Sequence, residues 1–197
     1  MINFTIENYI TEKVRVMHLL DHDAINTAIN RIDSVYKNGG KIITCGNGGS
    51  ASTASHFITD WNKMVNLLGG GKFRGFCLND NIGLITAYAN DVNYDSVFSG
   101  QLESILDEND LLIGVSGSGN SNNVINAIEY ANKLGADTLG LVGYDGGKIS
   151  KMVNNCVHVP SFDMQICEDL HLMFGHFVMK SLCGCSLAIE GDVTGAY

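Results

Sequence analysis

Apolar residues at the start of the chain recur with the period of two amphipathic helices. Ile6, Ile10, Val14 and Met17 are spaced this way within 2–20. A second series of the same kind occupies 23–38 and consists of Ile25, Ile29, Ile32, Val35 and Tyr36. Gly39-Gly40 follows and is typical of a helix end. The pattern therefore predicts an N-terminal helix pair over 1–38.

Beyond this pair, short apolar runs lead into segments rich in glycine and serine, and each such segment leads into a helical pattern. The run 41–45 precedes the loop 46–50 and a helical stretch to about Asn66, and the run 111–115 precedes the loop 116–121 and another helix. Further strands and a last helix are predicted at 75–78, 138–142, 157–160 and 166–183. This order predicts an α/β fold: a three-layer α/β/α sandwich with a mainly parallel, doubly wound sheet.

The chain is expected to form one domain over 1–197. It contains no fixed-period repeat and no charged or low-complexity linker, and 45% of its residues are hydrophobic, enough for a sizeable core. Within this domain we expect 39–183 to form the α/β core, whereas 184–197 is a tail without an assigned role. No segment resembles a signal peptide or reaches roughly 18 apolar residues, so the expectation is a soluble, cytoplasmic protein that does not bind membranes.

Charge and composition narrow the classes of partner. The chain has 12 basic and 21 acidic residues and a net charge of −9, which argues against nucleic-acid binding. Its six cysteines form no C-x-x-C pair, so we expect most of them to be reduced and buried. Glycine is the notable excess, with 23 residues against about 14 at average usage. These glycines are expected to have local roles.

Both glycine- and serine-rich loops follow a buried strand and open a helix, a position where free backbone N–H groups and the helix dipole attract anions. The candidate binding residues are Asn47, Gly48, Gly49 and Ser50 in the first loop and Ser116, Gly117, Ser118 and Ser121 in the second. As an alternative, Ser50 and Ser121 serve only as helix N-caps. Neither loop matches the Walker A or the dinucleotide-binding pattern, which argues against a nucleotide cofactor and favours a sugar phosphate.

Four parts of the chain resemble the sugar isomerase (SIS) domain family, namely the run Cys-Gly-Asn-Gly-Gly-Ser-Ala-Ser-Thr-Ala-Ser-His-Phe over 45–57, the run 114–121, the pair Asn90-Asp91, and the histidines His171 and His176. The likeness extends from about Lys41 to Leu182 and is greatest to the phosphoheptose isomerases. It implies a flavodoxin-like fold and a homotetramer with active sites at subunit interfaces, in which 1–38 would contribute to assembly.

The activity that this resemblance implies is the interconversion of sedoheptulose 7-phosphate and D-glycero-D-manno-heptose 7-phosphate through an enediol, for the heptose of lipopolysaccharide or capsule. A non-catalytic SIS module that binds a sugar phosphate or a protein partner is the alternative. Four ionisable residues that could converge, His56, Asp60, Glu168 and His176, favour the enzyme.

Spacing groups the candidate acid–base residues. His56 and Asp60 are four residues apart, and Glu168 and His176 are eight apart, so each pair shares one face of its helix. The resemblance implies a histidine acid at His176 and a glutamate base where this chain has Asp60. It also implies a glutamine where this chain has Glu168. Because aspartate is one methylene shorter than glutamate, Glu168 is an alternative base.

The same four residues also suit a metal ion. Two imidazoles and two carboxylates fit zinc or another divalent cation, and the resemblance implies zinc at the matching positions in some bacterial members. As an alternative, the four side chains hydrogen-bond one another without a metal.

Three further sites are interpreted through the resemblance. Asp91, expected in a short loop, would contact substrate hydroxyls, with an ordinary Asx turn as the alternative. Gly117 stands where the family has threonine, which removes one hydroxyl from the phosphate site. Trp61, Asn62 and Lys63 depart from the family's pocket-lining stretch, which suggests an altered sugar.

Overall fold

The computed structural model describes residues 5–68 and 71–184, so the predicted tail beyond Gly184 lies outside the described residues. Two helices, α1 (Ile6–Met17) and α2 (His22–Lys37), begin the chain and confirm the predicted helix pair. Thr5 caps α1 and Asp21 caps α2, since each side-chain oxygen accepts a hydrogen bond from a backbone N–H of the first turn.

Strands and helices alternate through the rest of the chain. In order, they are β1 (Ile42–Gly46), α3 (Gly49–Leu68), β2 (Gly75–Cys77), α4 (Ile82–Asp91), α5 (Ser99–Leu102), β3 (Leu111–Ser116), α6 (Asn122–Leu134), β4 (Asp137–Val142), β5 (Asn155–His158) and α7 (Met164–Leu182). Short 3₁₀ helices occupy Tyr94–Ser96 and Ile149–Lys151. The predicted strands and helices are present within a few residues, whereas α4 and α5 were not predicted.

All five strands pair in parallel, in the order β2-β1-β3-β4-β5. This order confirms the doubly wound sheet, and the winding reverses between β1 and β3. In open sheets of this kind, ligands bind at the carboxyl edge where the winding reverses. The two glycine- and serine-rich loops follow β1 and β3 and therefore lie at that edge.

Helices cover both faces of the sheet, which gives the predicted three layers. Alternate residues of β3 separate the two cores: Leu111 and Ile113 pack in the same cluster as residues of α2, α3 and α7, whereas Leu112 packs with residues of α5 and α6. In the two described ranges, no helix is long and apolar enough to cross a lipid bilayer.

Helix α1 is attached to α7 by a small polar group. Asp169 accepts hydrogen bonds from the Tyr9 hydroxyl at 2.8 Å and from the Lys13 ammonium at 2.7 Å. Burial raises the pKa of Asp169, but the bonds from Lys13 and Tyr9 outweigh burial and hold it below its ordinary value. Val16 adds a fully buried contact, whereas Ile6, Ile10 and Val14 remain exposed.

The amino edge of the sheet is fixed by a buried carboxylate. Asp110 is 2% exposed and accepts hydrogen bonds from the backbone N–H groups of Lys41 at 2.7 Å and Asp107 at 2.8 Å. The Lys41 ammonium lies 2.9 Å from the same carboxylate. These contacts connect the start of β1 to the start of β3.

Among the described residues, Cys45, Cys77, Cys156 and Cys167 are free thiols, and Cys45 and Cys167 are buried. Burial raises the pKa of both thiols, so they remain protonated at neutral pH. The sixth cysteine, Cys185, lies outside the described residues.

Candidate active site

The first loop is a tight turn between β1 and α3. Gly48 has a φ of +55°, a left-handed conformation that suits glycine. Asn79 fixes the end of β1, since its side-chain amide exchanges hydrogen bonds of 3.1 and 2.9 Å with the backbone of Gly46. Ser50 is buried and lies inside α3, which begins at Gly49. The alternative in which Ser50 is only an N-cap therefore does not hold.

The second loop presents serine hydroxyls at the N-terminus of α6. Ser121 stands at the N-cap position, yet its side chain makes no capping hydrogen bond. Its hydroxyl instead lies 3.1 Å from that of Ser116. Ser118 accepts a hydrogen bond from the N–H of Asn120 at 3.2 Å. Hydroxyl groups and a free helix N-terminus together form a candidate anion site.

Met164, the first residue of α7, covers part of this second loop. A Cβ at Gly117 would overlap the Met164 sulfur, so the thioether fills the space that a side chain at position 117 would need. The Tyr144 hydroxyl lies 4.0 Å from the same sulfur, and the Tyr144 ring stacks on Phe162. Tyr144 has a φ of 51°, which is uncommon for a residue other than glycine. Position 117 is thus closed by a neighbouring helix.

Asn47 connects the first loop to the helix that follows the second. Its side-chain amide exchanges two hydrogen bonds, of 2.8 and 2.9 Å, with the amide of Asn123 in α6. Asn123 is buried and was not among the residues singled out from the sequence. The two loops therefore form one connected unit.

Three of the four predicted metal or acid–base residues converge between α3 and α7. The Nε2 atoms of His56 and His176 lie 3.1 Å apart. The Asp60 carboxylate lies 3.3 Å from His56 Nε2 and 3.8 Å from His176 Nε2. The two imidazoles are 45% and 47% exposed, so water reaches the group freely.

A close approach of the two helices sets this geometry. A Cβ at Gly175 would overlap the ring of Phe57, so only glycine allows the helices to lie this close. The Trp61 indole N–H adds a 2.9 Å hydrogen bond to the Gly175 carbonyl. His56 and His176 are the immediate neighbours of Phe57 and Gly175, and they meet at the solvent side of this contact.

Trp61 is fully buried and Asn62 bonds the backbone of Gly75, so both are structural residues. The interpretation of Trp61 as pocket-lining is therefore wrong, whereas Asn62 also lines a cavity beside β2. Lys63 is exposed on the same helix.

Glu168 does not belong to the three-residue group. Its carboxylate lies against Gly49 in the first loop, where a Cβ would overlap it. Glu168 precedes His176 by eight residues and Gly49 precedes His56 by seven, so α3 and α7 run side by side in the same direction. Glu168 thus lies about 12 Å along the helix from His176. It places a negative charge at the N-terminus of α3, where the helix dipole is favourable.

The three-residue group fits a divalent cation. Donors bound to one tetrahedral zinc at about 2.0–2.1 Å lie roughly 3.3 Å apart, close to the separations between His56, Asp60 and His176. Two imidazoles and one carboxylate would leave one position open for a ligand. A hydrogen bond in which one imidazole donates to the other fits the 3.1 Å distance equally well.

Asp91 is the last residue of α4, so the prediction of a short loop there is wrong. The helix forms because Asn81 caps it, accepting a hydrogen bond from the N–H of Leu84 at 3.1 Å. The Asp91 carboxylate is exposed and accepts a 2.8 Å hydrogen bond from Asn90.

His171, the other histidine of the last helix, is fully buried and separate from the group. Neither of its ring nitrogens has a hydrogen-bond partner among the described residues. Burial lowers its pKa to about 4, and the nearby Val142 carbonyl offsets only part of that effect. His171 is therefore neutral at physiological pH.

Comparisons with known proteins agree with this architecture. The SIS domain family model matches residues 7–143. The phosphoheptose isomerase of Aliarcobacter butzleri is 43% identical over 144 residues, which are 73% of this chain and 76% of the relative. That of Aneurinibacillus thermoaerophilus is 32% identical and covers 89% of this chain and 91% of the relative.

The structure of the phosphoheptose isomerase from Neisseria gonorrhoeae superposes with a TM-score of 0.84 at 29% identity, over 91% of this chain and 97% of that one. The family model spans more than half of the chain, and the similarity to the relatives covers most of it. The chain therefore belongs to the SIS domain family.

Proposed function

We propose that the chain is an aldose–ketose isomerase that converts sedoheptulose 7-phosphate to D-glycero-D-manno-heptose 7-phosphate through an enediol. The observation that carries the proposal is the convergence of His56, Asp60 and His176, in which His56 lies about 10 Å along α3 from the first of the two candidate anion-binding loops. The relatives that are 32–43% identical are phosphoheptose isomerases, which supports the same substrate class. The heptose product would serve the synthesis of lipopolysaccharide or capsule.

The second loop would bind the phosphate. Ser116, Ser118 and Ser121 offer hydroxyl donors, and the N-terminus of α6 offers backbone N–H groups and its dipole. An anionic ligand on a protein with a net charge of −9 needs such local donors, because the overall field repels it. Glu168 makes the first loop the less favourable place for phosphate, since its carboxylate lies against Gly49.

Asp60 and His176 would carry the proton transfers. The Asp60 carboxylate removes a proton from C1 of the ketose while His176 donates a proton to the C2 oxygen, which gives the enediol. Asp60 then returns its proton to C2, and His176 takes the proton of the C1 hydroxyl, which leaves the aldehyde at C1. Asp60 is favoured over Glu168 as the base because Asp60 lies within 3.8 Å of His176 Nε2.

As an alternative to proton transfer, His56, Asp60 and His176 would hold a divalent metal, such as zinc, because a nitrogen or oxygen atom that binds a metal cannot at the same time transfer a proton. When bound, such a metal polarises the carbonyl and hydroxyl oxygens of a substrate. Glu168 remains a candidate contact for sugar hydroxyls at the first loop. Asp91 retains its proposed role as a contact for substrate hydroxyls.

We also propose a homo-oligomer, most simply a tetramer. The outer face of α1 exposes Ile6, Ile10 and Val14, and a second copy of the chain would remove this apolar surface from water. The candidate site is open to solvent, so a neighbouring subunit would also shield it. Light scattering coupled to size-exclusion chromatography measures this assembly directly.

An isomerisation assay with sedoheptulose 7-phosphate, alongside five- and six-carbon ketose phosphates, tests the activity. Asp60→Asn and His176→Ala are expected to abolish turnover while circular dichroism and melting temperature stay unchanged. Asp23→Asn and His18→Ala, at exposed positions of the helix pair, serve as matched controls. Undiminished turnover in both site variants would overturn the assignment, and a wild-type protein that binds the sugar without converting it would be a non-catalytic module.

A further inference from the structure

Tyr94 reaches the first loop from outside it. The residue belongs to the short 3₁₀ helix Tyr94–Ser96, between α4 and α5, and its ring is largely exposed. Its hydroxyl donates a 2.9 Å hydrogen bond to the side-chain carbonyl of Asn47. An exposed tyrosine thus contacts the amide group that joins the two loops.

The orientation of both amides follows from one unambiguous donor. The backbone N–H of Val124 can only donate, and it lies 3.0 Å from the Oδ1 atom of Asn123. Asn123 must therefore turn its NH₂ group toward Asn47, whose Oδ1 accepts at 2.9 Å. The Asn47 NH₂ group donates in return to Asn123 Oδ1 at 2.8 Å. The Tyr94 bond agrees with this orientation, since it also requires an acceptor at Asn47 Oδ1.

These hydrogen bonds determine which side-chain atoms of Asn47 remain available to a ligand. Its carbonyl oxygen accepts from Asn123 and from Tyr94, so both lone pairs are used. One N–H of its NH₂ group is bonded to Asn123, and the other has no partner within the described part of the chain. Toward a ligand, Asn47 is therefore a hydrogen-bond donor and not an acceptor.

We propose that Tyr94 is a positioning residue that holds the Asn47 amide as a donor to an oxygen of the bound sugar phosphate. The proposal rests on the proposed function, because it assumes that a sugar phosphate occupies the two loops. Tyr94 itself does not contact the reacting atoms and acts through Asn47. Without the hydroxyl, Asn47 would retain only the Asn123 contacts, and its side chain could rotate more freely.

Tyr94→Phe tests the proposal because it removes only the hydroxyl. We expect kcat/KM for sedoheptulose 7-phosphate to fall roughly threefold to tenfold, the range of one neutral hydrogen bond. Inhibition by inorganic phosphate, which the second loop would bind, is expected to stay unchanged. Tyr88→Phe is the matched control. It removes a hydroxyl that donates a 3.0 Å hydrogen bond to the Gly100 carbonyl, and this contact involves neither of the two loops.

A double-variant cycle separates positioning from stability. If Tyr94 acts through Asn47, Asn47→Ala and the combined Asn47→Ala/Tyr94→Phe protein will have the same kcat/KM. Additive losses would overturn the proposal, as would equal kcat/KM in Tyr94→Phe and Tyr88→Phe. Melting temperatures of the two tyrosine variants are expected to agree, whereas a selective drop in Tyr94→Phe would indicate a merely structural role.

Calorimetry of sedoheptulose 7-phosphate binding distinguishes a failure of the isomerase assignment from a failure of the role proposed for Tyr94. If the wild-type protein binds this sugar without turnover, the isomerase assignment fails, and the cycle is then evaluated on affinity. If turnover is present but Tyr94→Phe is equal to wild type, only the role of Tyr94 fails. If the wild-type protein neither binds nor converts the sugar, both proposals are overturned.

Discussion

His56 and His176 approach to 3.1 Å between their Nε2 atoms although 120 residues separate them in the chain. The approach depends on their neighbours, because the Phe57 ring lies directly over the Cα atom of Gly175. Bulky side chains elsewhere along this contact, such as Trp61, are accommodated because the glycine leaves room. The approach of His56 to His176 thus depends on the absence of a side chain at Gly175, the residue directly before His176.

Gly175→Ala is expected to separate α3 from α7 and to disperse the three-residue group. A new Cβ must displace the Phe57 ring in a packed core, which costs about 1–3 kcal/mol. We expect a lower free energy of unfolding, measured by urea denaturation, and a loss of isomerase activity of at least tenfold, measured by the isomerisation assay with sedoheptulose 7-phosphate. Ser181→Ala, an exposed change on the same helix, is the control.

Combining Gly175→Ala with Phe57→Leu shortens the side chain that the new methyl group meets. Partial recovery of activity is expected in the combined variant relative to Gly175→Ala alone. Equal activity of Gly175→Ala and wild type would contradict the proposed dependence on helix distance.

If His56, Asp60 and His176 bind a metal instead of transferring protons, protein purified without chelator and without a metal-affinity tag will contain about one divalent metal per chain, measured by elemental analysis. His56→Ala and His176→Ala should each remove it, because each deletes one of the three converging donors. Glu168→Gln should retain the metal, because Glu168 lies at the first loop. A metal-free wild-type protein, or equal loss in Glu168→Gln, would count against the three-residue site.

Gly117→Thr is expected to weaken substrate binding, even though it introduces a hydroxyl beside the phosphate loop. The new side chain would overlap the Met164 sulfur and displace the loop or the first turn of α7. We expect KM to rise several-fold in the single variant. Met164→Ala should reverse most of that rise in the combined variant, and an unchanged KM in Gly117→Thr would show that the contact is irrelevant to binding.

His171 is expected to make the fold sensitive to mild acid. Its pKa is lowered from 6.5 to about 4, so the folded state holds the neutral ring while the unfolded chain binds a proton below pH 6.5. The free energy of unfolding should therefore fall as the pH decreases from 6.5 toward 4, by about 3 kcal/mol in total from this residue. Below about pH 4, the contribution of His171 to the free energy of unfolding should no longer change with pH.

Urea denaturation across this pH range in wild type and in His171→Leu measures the effect. Leucine fills a similar volume without titrating, so the variant should lose less stability on acidification. His171→Gln provides a second comparison if the leucine variant folds poorly. Parallel pH profiles for the variants and wild type would contradict the assignment.

Much of the fold could be predicted because its elements carry strong local signals. The helix pair has a clear apolar period, and both loops follow uninterrupted buried strands. Helix α4 carries a weaker signal, because Ile82 and Leu84 are exposed while Ile85 and Tyr88 pack, partly buried, against the core. Apolar residues on both the exposed side and the core side of a helix obscure its period, so the sequence predicts a loop at Asp91.

Contacts of the candidate site within one helix could be predicted from the sequence, whereas contacts between two helices could not. Spacing correctly grouped His56 with Asp60, because neighbours four apart share a helix face. It could not establish that Glu168 lies beside Gly49, because that contact depends on how far α7 is displaced along α3. Asn123, Tyr94 and Met164 were missed for the same reason, since each acts across elements that are distant in the chain.

The buried Asp110 group and the two loops lie at opposite edges of one sheet. The amino edge anchors the strands, and the carboxyl edge carries the candidate binding loops. Mutational tolerance should differ accordingly, with the Lys41–Asp110 contacts intolerant of change and the ligand edge free to diversify. Such a division means that a substitution at the ligand edge, for example at Gly117, would change binding more than it changes the framework of strands.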